Sequence, residues 1–259
     1  MNRRLADPVR RAVRAGRAYG RAALPLPLGR LPEFLIIGGQ RCGTTSLYRY
    51  LAGHPSVRAA TGKELQFLSL HHGRGLRWYR GHFPVRPPGV LCFEASPYYL
   101  FDPDVPARAA ALLPDARFIA LLRDPADRAY SHYLHSRAYG VEPLSFAGAL
   151  DAEPARLATG GHTARRRYSY VARGRYAEQL SRWFGAVGRD RVLVVRTEQL
   201  DDRCGDILDF LGLDRVPAPD RRHTRRRADA PDLPAGLRQR LDAEFAGDQA
   251  RLARLLTAG

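Results

Sequence analysis

An α/β fold, with a central parallel sheet flanked by helices, is the architecture that this 259-residue sequence predicts. Three observations predict it. The short apolar runs lack the every-second-residue alternation of a strand with one wet face. Helix-like stretches separate those runs, which is how a parallel sheet is wound. The first run ends in two glycines and passes through a short loop into a helix, a strand–loop–helix unit.

The elements follow in order. Residues 1–32 stand apart as an arginine-rich segment. It lacks the apolar core of about 7–15 residues that a secretory signal needs. Residues 8–23 can form a basic helix carrying Val9, Val13 and Tyr19, either a solvated tail or a peripheral contact with an anionic membrane surface. Residues 33–259 are expected to form one domain. Strands are expected at Phe34–Ile37, Val90–Phe93, Phe118–Leu122 and Val192–Val195. Helices are expected at Thr44–Leu51, Val105–Leu113, Pro125–Tyr139, Arg175–Val187 and Asp206–Leu211, with a closing helix over Leu237–Leu256. Residues 140–170 and 214–234 are rich in Pro, Gly, Arg and Asp and read as loops or a lid.

The formal net charge is +16, which suits an anionic ligand or surface. Arginine supplies nearly all of the basic side chains, and Lys63 is the single lysine, so a compositional bias explains much of that charge. Aromatic residues make up 9% and are not interleaved with the basic runs, which argues against nucleic-acid binding. Cys42, Cys92 and Cys204 are too scattered for a disulfide framework or a zinc site and point to a reducing, cytoplasmic compartment. No apolar run approaches the roughly 20 residues of a membrane span.

The stretch Gly38–Ser46, GGQRCGTTS, has the glycine spacing of a Walker-type phosphate loop. Thr44 stands where the Walker lysine belongs, and a positive side chain, Arg41, has moved inside the loop. The anion site at a helix N-terminus survives, with hydroxyls from Thr44, Thr45 and Ser46. Such a loop suits a short anionic tail better than a triphosphate. Further on, Arg123 ends a strand and Ser131 lies in the next helix, where the pair could grip a phosphate. Asp124 and Pro125 read as a helix start; a magnesium role for Asp124 sits awkwardly beside Arg123.

Six stretches in chain order, GGQRCGTTSLYRYLAGHPSV, KELQFL, LRWYRGHFP, EASPYYL, LLRDPADRAYSHY and RGRYAEQLSRWF, together resemble the sulfotransferases that use 3′-phosphoadenosine 5′-phosphosulfate (PAPS). The likeness is to the heparan-sulfate-type enzymes and their bacterial relatives, and it covers about residues 34–211. It implies a three-layer, P-loop-like fold, PAPS as donor and no metal. Gly39, Gln40, Arg41, Cys42, Gly43, Thr44, Thr45 and Ser46 would hold the 5′-phosphosulfate, and Arg41, where the family usually has lysine, would be catalytic, its charge meeting the bridging oxygen and the transferring sulfonate. Arg123 and Ser131 would bind the 3′-phosphate. Tyr176, with Tyr168 and Gly174, would approach the nucleotide, and Arg226, within Arg225–Arg227, would belong to a late basic loop. Glu64, in the pattern Glu-Leu-Gln-Phe, would be the general base, with Lys63 beside it either pairing with that carboxylate or facing the sulfonate. Glu94 and Ser96 are expected to line the cleft, next to Ala95 where relatives often carry lysine. His54, His71, His72 and His82 are rival bases but read first as surface or packing residues. Trp78 and Trp183 read as core or cleft-wall aromatics. The implied reaction is in-line sulfonate transfer to a hydroxyl on a carbohydrate, glycolipid or secondary metabolite, with the acceptor pocket built from residues 62–88 and 140–170. The alternatives are a P-loop kinase or NTPase, and a basic module that binds polyanions or the inner face of a membrane.

Overall fold

A computed structural model describes residues 28–217 and 231–257. Five strands, β1 (Phe34–Gly38), β2 (Val57–Ala59), β3 (Leu91–Ala95), β4 (Arg117–Leu122) and β5 (Val192–Arg196), form one sheet in the order β2-β3-β1-β4-β5. Every pairing is parallel. The described helices are α1 (Thr44–Ala52), α2 (Gly75–Arg80), α3 (Val105–Leu112), α4 (Pro125–Ala138), α5 (Phe146–Thr159), α6 (Gly161–Tyr168), α7 (Tyr176–Val187), α8 (Cys204–Leu211) and α9 (Ala235–Thr257).

The two faces of β1 explain the three layers. Leu35 and Ile37 point into a core that contains Trp183 and Leu180 of α7 and Val105 and Ala109 of α3. Phe34 and Ile36 point the other way, against Leu47 and Leu51 of α1 and Ile207, Leu208 and Leu211 of α8. All five β1 residues are buried, which is why the run shows no alternation. A third cluster joins Ala129 and Tyr133 of α4, Phe146 and Leu150 of α5 and Phe245 of α9. Trp183 is fully buried and Trp78 nearly so, and both are core residues.

Chain order reverses about β1, since β3 flanks it on one side and β4 on the other. In an open parallel sheet the crevice beyond the carboxyl ends of the strands at such a point is where ligands bind. The glycine loop leaves β1 at that point.

Two expectations need correction. Residues 140–170, read as loops or a lid, contain α5 and α6. Ser145 caps α5 by accepting the Gly148 amide at 3.2 Å, and Phe146, Ala149, Leu150 and Glu153 form its buried face. Pro154 lies inside that helix, so a breaker residue masked a helical pattern. Strand β2, only three residues long, gives no apolar run to detect. The proposed basic helix at residues 8–23 and the arginines at 225–227 lie outside the described residues. Among the described residues no helix is long and apolar enough to cross a membrane.

His82 illustrates what burial costs a titratable group. It is 4% exposed, shares a 2.9 Å hydrogen bond between Nδ1 and Thr61 Oγ1, and has its pKa pushed down from 6.5 to about 4, by burial first and then by Arg74 and His71. Between those values the unfolded chain takes up a proton that the folded one refuses, so stability falls as pH falls. The limiting slope from this group is about 1.4 kcal/mol per pH unit. Thermal unfolding scans from pH 7 to pH 4 should show a declining midpoint. His82→Gln, which keeps a partner for Thr61, should flatten that decline.

Candidate active site

The loop after β1 is built from backbone conformations that free its amides. Arg41 and Gly43 take left-handed φ values of 70° and 82°. A Cβ at Gly38 would come within 2.6 Å of Leu100 Cβ, so this position has no room for a side chain. The Gly39 amide donates to Leu121 O at 2.5 Å and the Cys42 amide to Gly39 O at 3.2 Å, closing the turn. Among the described residues, the amides of Gln40, Arg41, Gly43, Thr44 and Thr45 have no acceptor. The N-cap of α1 is Gly43, with no side chain to satisfy the first turn. A helix start with free N–H groups and a dipole carrying partial positive charge is a site for an anion.

Lys63 reaches this helix start. Its Nζ donates to Thr45 Oγ1 at 2.6 Å and lies 3.5 Å from Thr44 Oγ1. Lysine thus returns to the Walker position from elsewhere in the chain. Its pKa is lowered, mainly by burial; Glu64 opposes the shift, and Arg49 and Arg41 add to it. Glu64 itself is exposed, and its amide donates to Ala95 O at 2.8 Å. Ala95 ends β3 and pairs with Ile36 of β1, so the Glu64 backbone is pinned beside the strand that feeds the loop.

Arg41 turns to the other side of the loop. Its Nε donates to Ser131 Oγ of α4 at 3.1 Å. Its pKa is lowered by burial first and by Arg123 second. Arg41 therefore bonds to Ser131 and feels the charge of Arg123, the two residues expected at a 3′-phosphate, while Lys63 reaches the helix N-terminus. Arg123 is held at 3.5 Å by Asp127, which also pairs with Arg238 of α9. Asp124 caps α4 by accepting the Asp127 amide at 2.8 Å and pairs with Arg238 at 2.7 Å. Among the described residues there is no cluster of three or more His, Cys, Asp or Glu arranged around a metal ion.

Two expected contacts lie beneath the loop. Tyr176 is fully buried, and its hydroxyl meets the buried Cys42 thiol at 3.7 Å. With both groups facing inward, they support the loop from behind. Glu94 and Ser96, expected to line the cleft, are fully buried as well. The motif reading missed three supports. Thr197 Oγ1 lies 2.9 Å from both Cys42 O and Leu122 O and ties the loop to the end of β4. Arg173 hydrogen-bonds Gln40 Oε1 with one arm and the carbonyls of Arg165 and Arg166, at 3.1 and 2.9 Å, with the other. Burial, then Arg128, lowers the Arg173 pKa to about 9. Arg128, fully buried, bonds to Tyr170 O. Arg173 adjoins the quoted glycine and tyrosine in RGRY, but its partner Gln40 lies 133 residues away, a separation that no local pattern reports.

Residues 31–223 match the Sulfotransferase domain family. Over 200 residues the chain is 36% identical to the bifunctional heparan sulfate N-deacetylase/N-sulfotransferase 3 of Homo sapiens, covering 71% of this chain and 22% of that protein. The chain thus corresponds to about a fifth of that relative's length. A solved sulfotransferase from Alicyclobacillus acidocaldarius superposes with a TM-score of 0.74 at 32% identity, covering 88% of this chain and 96% of that one. Mouse sulfotransferase SULT7A1, solved with PAP, shares the fold at 13% identity and a TM-score of 0.55. The matched span includes the glycine loop, Lys63–Glu64 and Arg123–Ser131, and on these grounds the chain belongs to the sulfotransferase family.

Proposed function

We propose that this chain transfers the sulfonate of PAPS to an acceptor hydroxyl, with Glu64 as general base, releasing adenosine 3′,5′-bisphosphate (PAP). One observation carries the reading. An uncapped helix start with a lysine on its threonines lies next to a separate group of Arg41, Arg123 and Ser131. Two anion sites side by side suit a nucleotide with a 5′ anionic tail and a 3′-phosphate. A Walker loop would concentrate its charge on one triphosphate. The donor supplies a sulfur already bonded to a good leaving group.

The chain's residues do the rest. Glu64 takes the proton from the acceptor oxygen as that oxygen bonds to sulfur. The bond from sulfur to the bridging oxygen breaks in line, and its electron pair goes to the 5′-phosphate. The free amides of the loop and Lys63 meet that charge where it develops. Arg41 and Arg123, with Ser131, hold the 3′-phosphate. Cys42, Tyr176, Thr197 and Arg173 keep the loop in shape.

Lys63 must be charged to do this, so activity should fall as pH rises through its pKa. Because that pKa is below the ordinary 10.5, the alkaline limb of kcat should start early. Lys63→Arg should move the limb upward, and Lys63→Met should lower kcat at every pH; a pH–rate profile measures both.

The heparan sulfate relatives favour a carbohydrate acceptor, with lipid-linked glycans and secondary metabolites as further classes. We assign the activity to residues 33–259, with residues 1–32 as a separate basic segment, either a solvated tail or a peripheral contact with an anionic membrane surface. The three free, buried cysteines suit a reducing cytoplasm. The test is transfer of labelled sulfonate from PAPS into fractionated extracts and defined glycans. Labelled product with equimolar PAP supports the reading; no PAPS turnover with any acceptor class counts against it.

A further inference from the structure

The segment that carries Glu64 has an unusual backbone. Glu64 and Gln66 both take left-handed φ values, 61° and 56°. For residues with a Cβ this costs roughly 1–2 kcal/mol each. Something must hold the chain there, and glycine does not supply the freedom.

The support is a buried carboxylate. Glu94, on β3, is fully buried and forms no ion pair among the described residues. Its Oε1 accepts from Ser96 Oγ at 2.6 Å and from Tyr99 OH at 2.7 Å, and its Oε2 accepts from Tyr79 OH at 2.5 Å. Burial, then the Glu94 charge, raises the pKa of both phenols, so both remain donors. A hydroxyl that donates its one proton to Glu94 has only lone pairs left for other partners. Those lone pairs meet the segment: Ser96 Oγ accepts the Gln66 amide at 3.1 Å, and Tyr99 OH accepts the Leu68 amide at 3.0 Å. The Glu64 amide completes the set on Ala95 O at 2.8 Å.

We propose that Glu94 is a positioning residue: by fixing the proton direction of Ser96 and Tyr99, it makes them acceptors for Gln66 and Leu68 and so holds Glu64 at the end of β3. The kinetic part of this inference rests on Glu64 as the base; the conformational part does not. Glutamine at position 94 can keep its one oxygen toward both Ser96 and Tyr99 and puts a donor only against Tyr79, whereas leucine gives neither hydroxyl an acceptor, so that either can turn its proton to a backbone N–H. That proton cannot coexist with the existing bond.

Amide hydrogen exchange of the full chain with PAP, read at Gln66 and Leu68, is the direct test. Glu94→Leu should accelerate exchange at one or both amides at least tenfold, with PAP affinity changed less than about threefold. It should also lower kcat without a matching rise in KM for donor. Combined with Glu64→Gln it should slow turnover no further than Glu64→Gln alone. Should Glu94→Leu not fold, Ser96→Ala should expose Gln66 selectively and Tyr99→Phe should expose Leu68 selectively. Unchanged protection in every variant that folds, or a Glu94 effect that multiplies fully with that of Glu64→Gln, would overturn the proposal. If Glu64→Gln keeps normal turnover, the base assignment fails, and the exchange pattern still decides whether Glu94 sets the segment.

Discussion

Glu64→Gln is expected to cut turnover by about 10²–10⁴-fold, the usual worth of a positioned general base, while PAP binding stays within about threefold. The substitution keeps shape and hydrogen-bonding reach but removes the group that can take the acceptor proton. Donor affinity should persist because the loop amides, Lys63, Arg41, Arg123 and Ser131 are untouched. Pre-steady-state turnover at saturating PAPS, paired with calorimetric titration of PAP, separates the two quantities. Turnover at the level of the unmodified protein would remove Glu64 as the base.

Arg123→Ala should discriminate between nucleotides. Its guanidinium is partly buried and braced by Asp127, which Arg238 holds in turn. A hydrogen bond to a charged group contributes about 1.5–3 kcal/mol, so PAP affinity should fall roughly 10- to 150-fold. Adenosine 5′-phosphate, with no 3′-phosphate to lose, should bind nearly as before. Equal losses for the two nucleotides would show that Arg123 acts on the loop generally and has no special role toward the 3′-phosphate. Because Arg41 reaches Ser131, Arg41→Ala should share part of this selectivity.

Four of the five strands and the loop after β1 were legible because both depend on contiguous residues. An apolar run buried on two faces has no alternation, and a tight loop that feeds a helix needs glycine at fixed offsets. Lys63 and Glu64 were legible as a pair, but their geometry was not. Nothing local says that Lys63 crosses to Thr45, 18 residues back, or that Arg41 turns to Ser131, 90 residues on. The family resemblance placed Arg41 at the transferring group and left Lys63 between two roles. In the structure Lys63 donates to Thr45 at the helix start and Arg41 donates to Ser131 of α4. Helix α5 stayed hidden because Pro154 outweighs its buried face in any pattern count. Glu94 was visible as an acidic residue after a strand, and exposure was the natural expectation for an unpaired carboxylate. Three hydroxyl donors, from positions 79, 96 and 99, make its burial affordable.

The most direct test of the account is a side-by-side calorimetric titration of the protein with PAP and with ATP plus Mg²⁺. Two adjacent anion sites, one at a lysine-bearing helix start and one at Arg123 and Ser131, predict binding of PAP at micromolar or lower concentration and at least tenfold weaker binding of ATP. Tight ATP binding that depends on Mg²⁺, with PAP no better than adenosine 5′-phosphate, would contradict it.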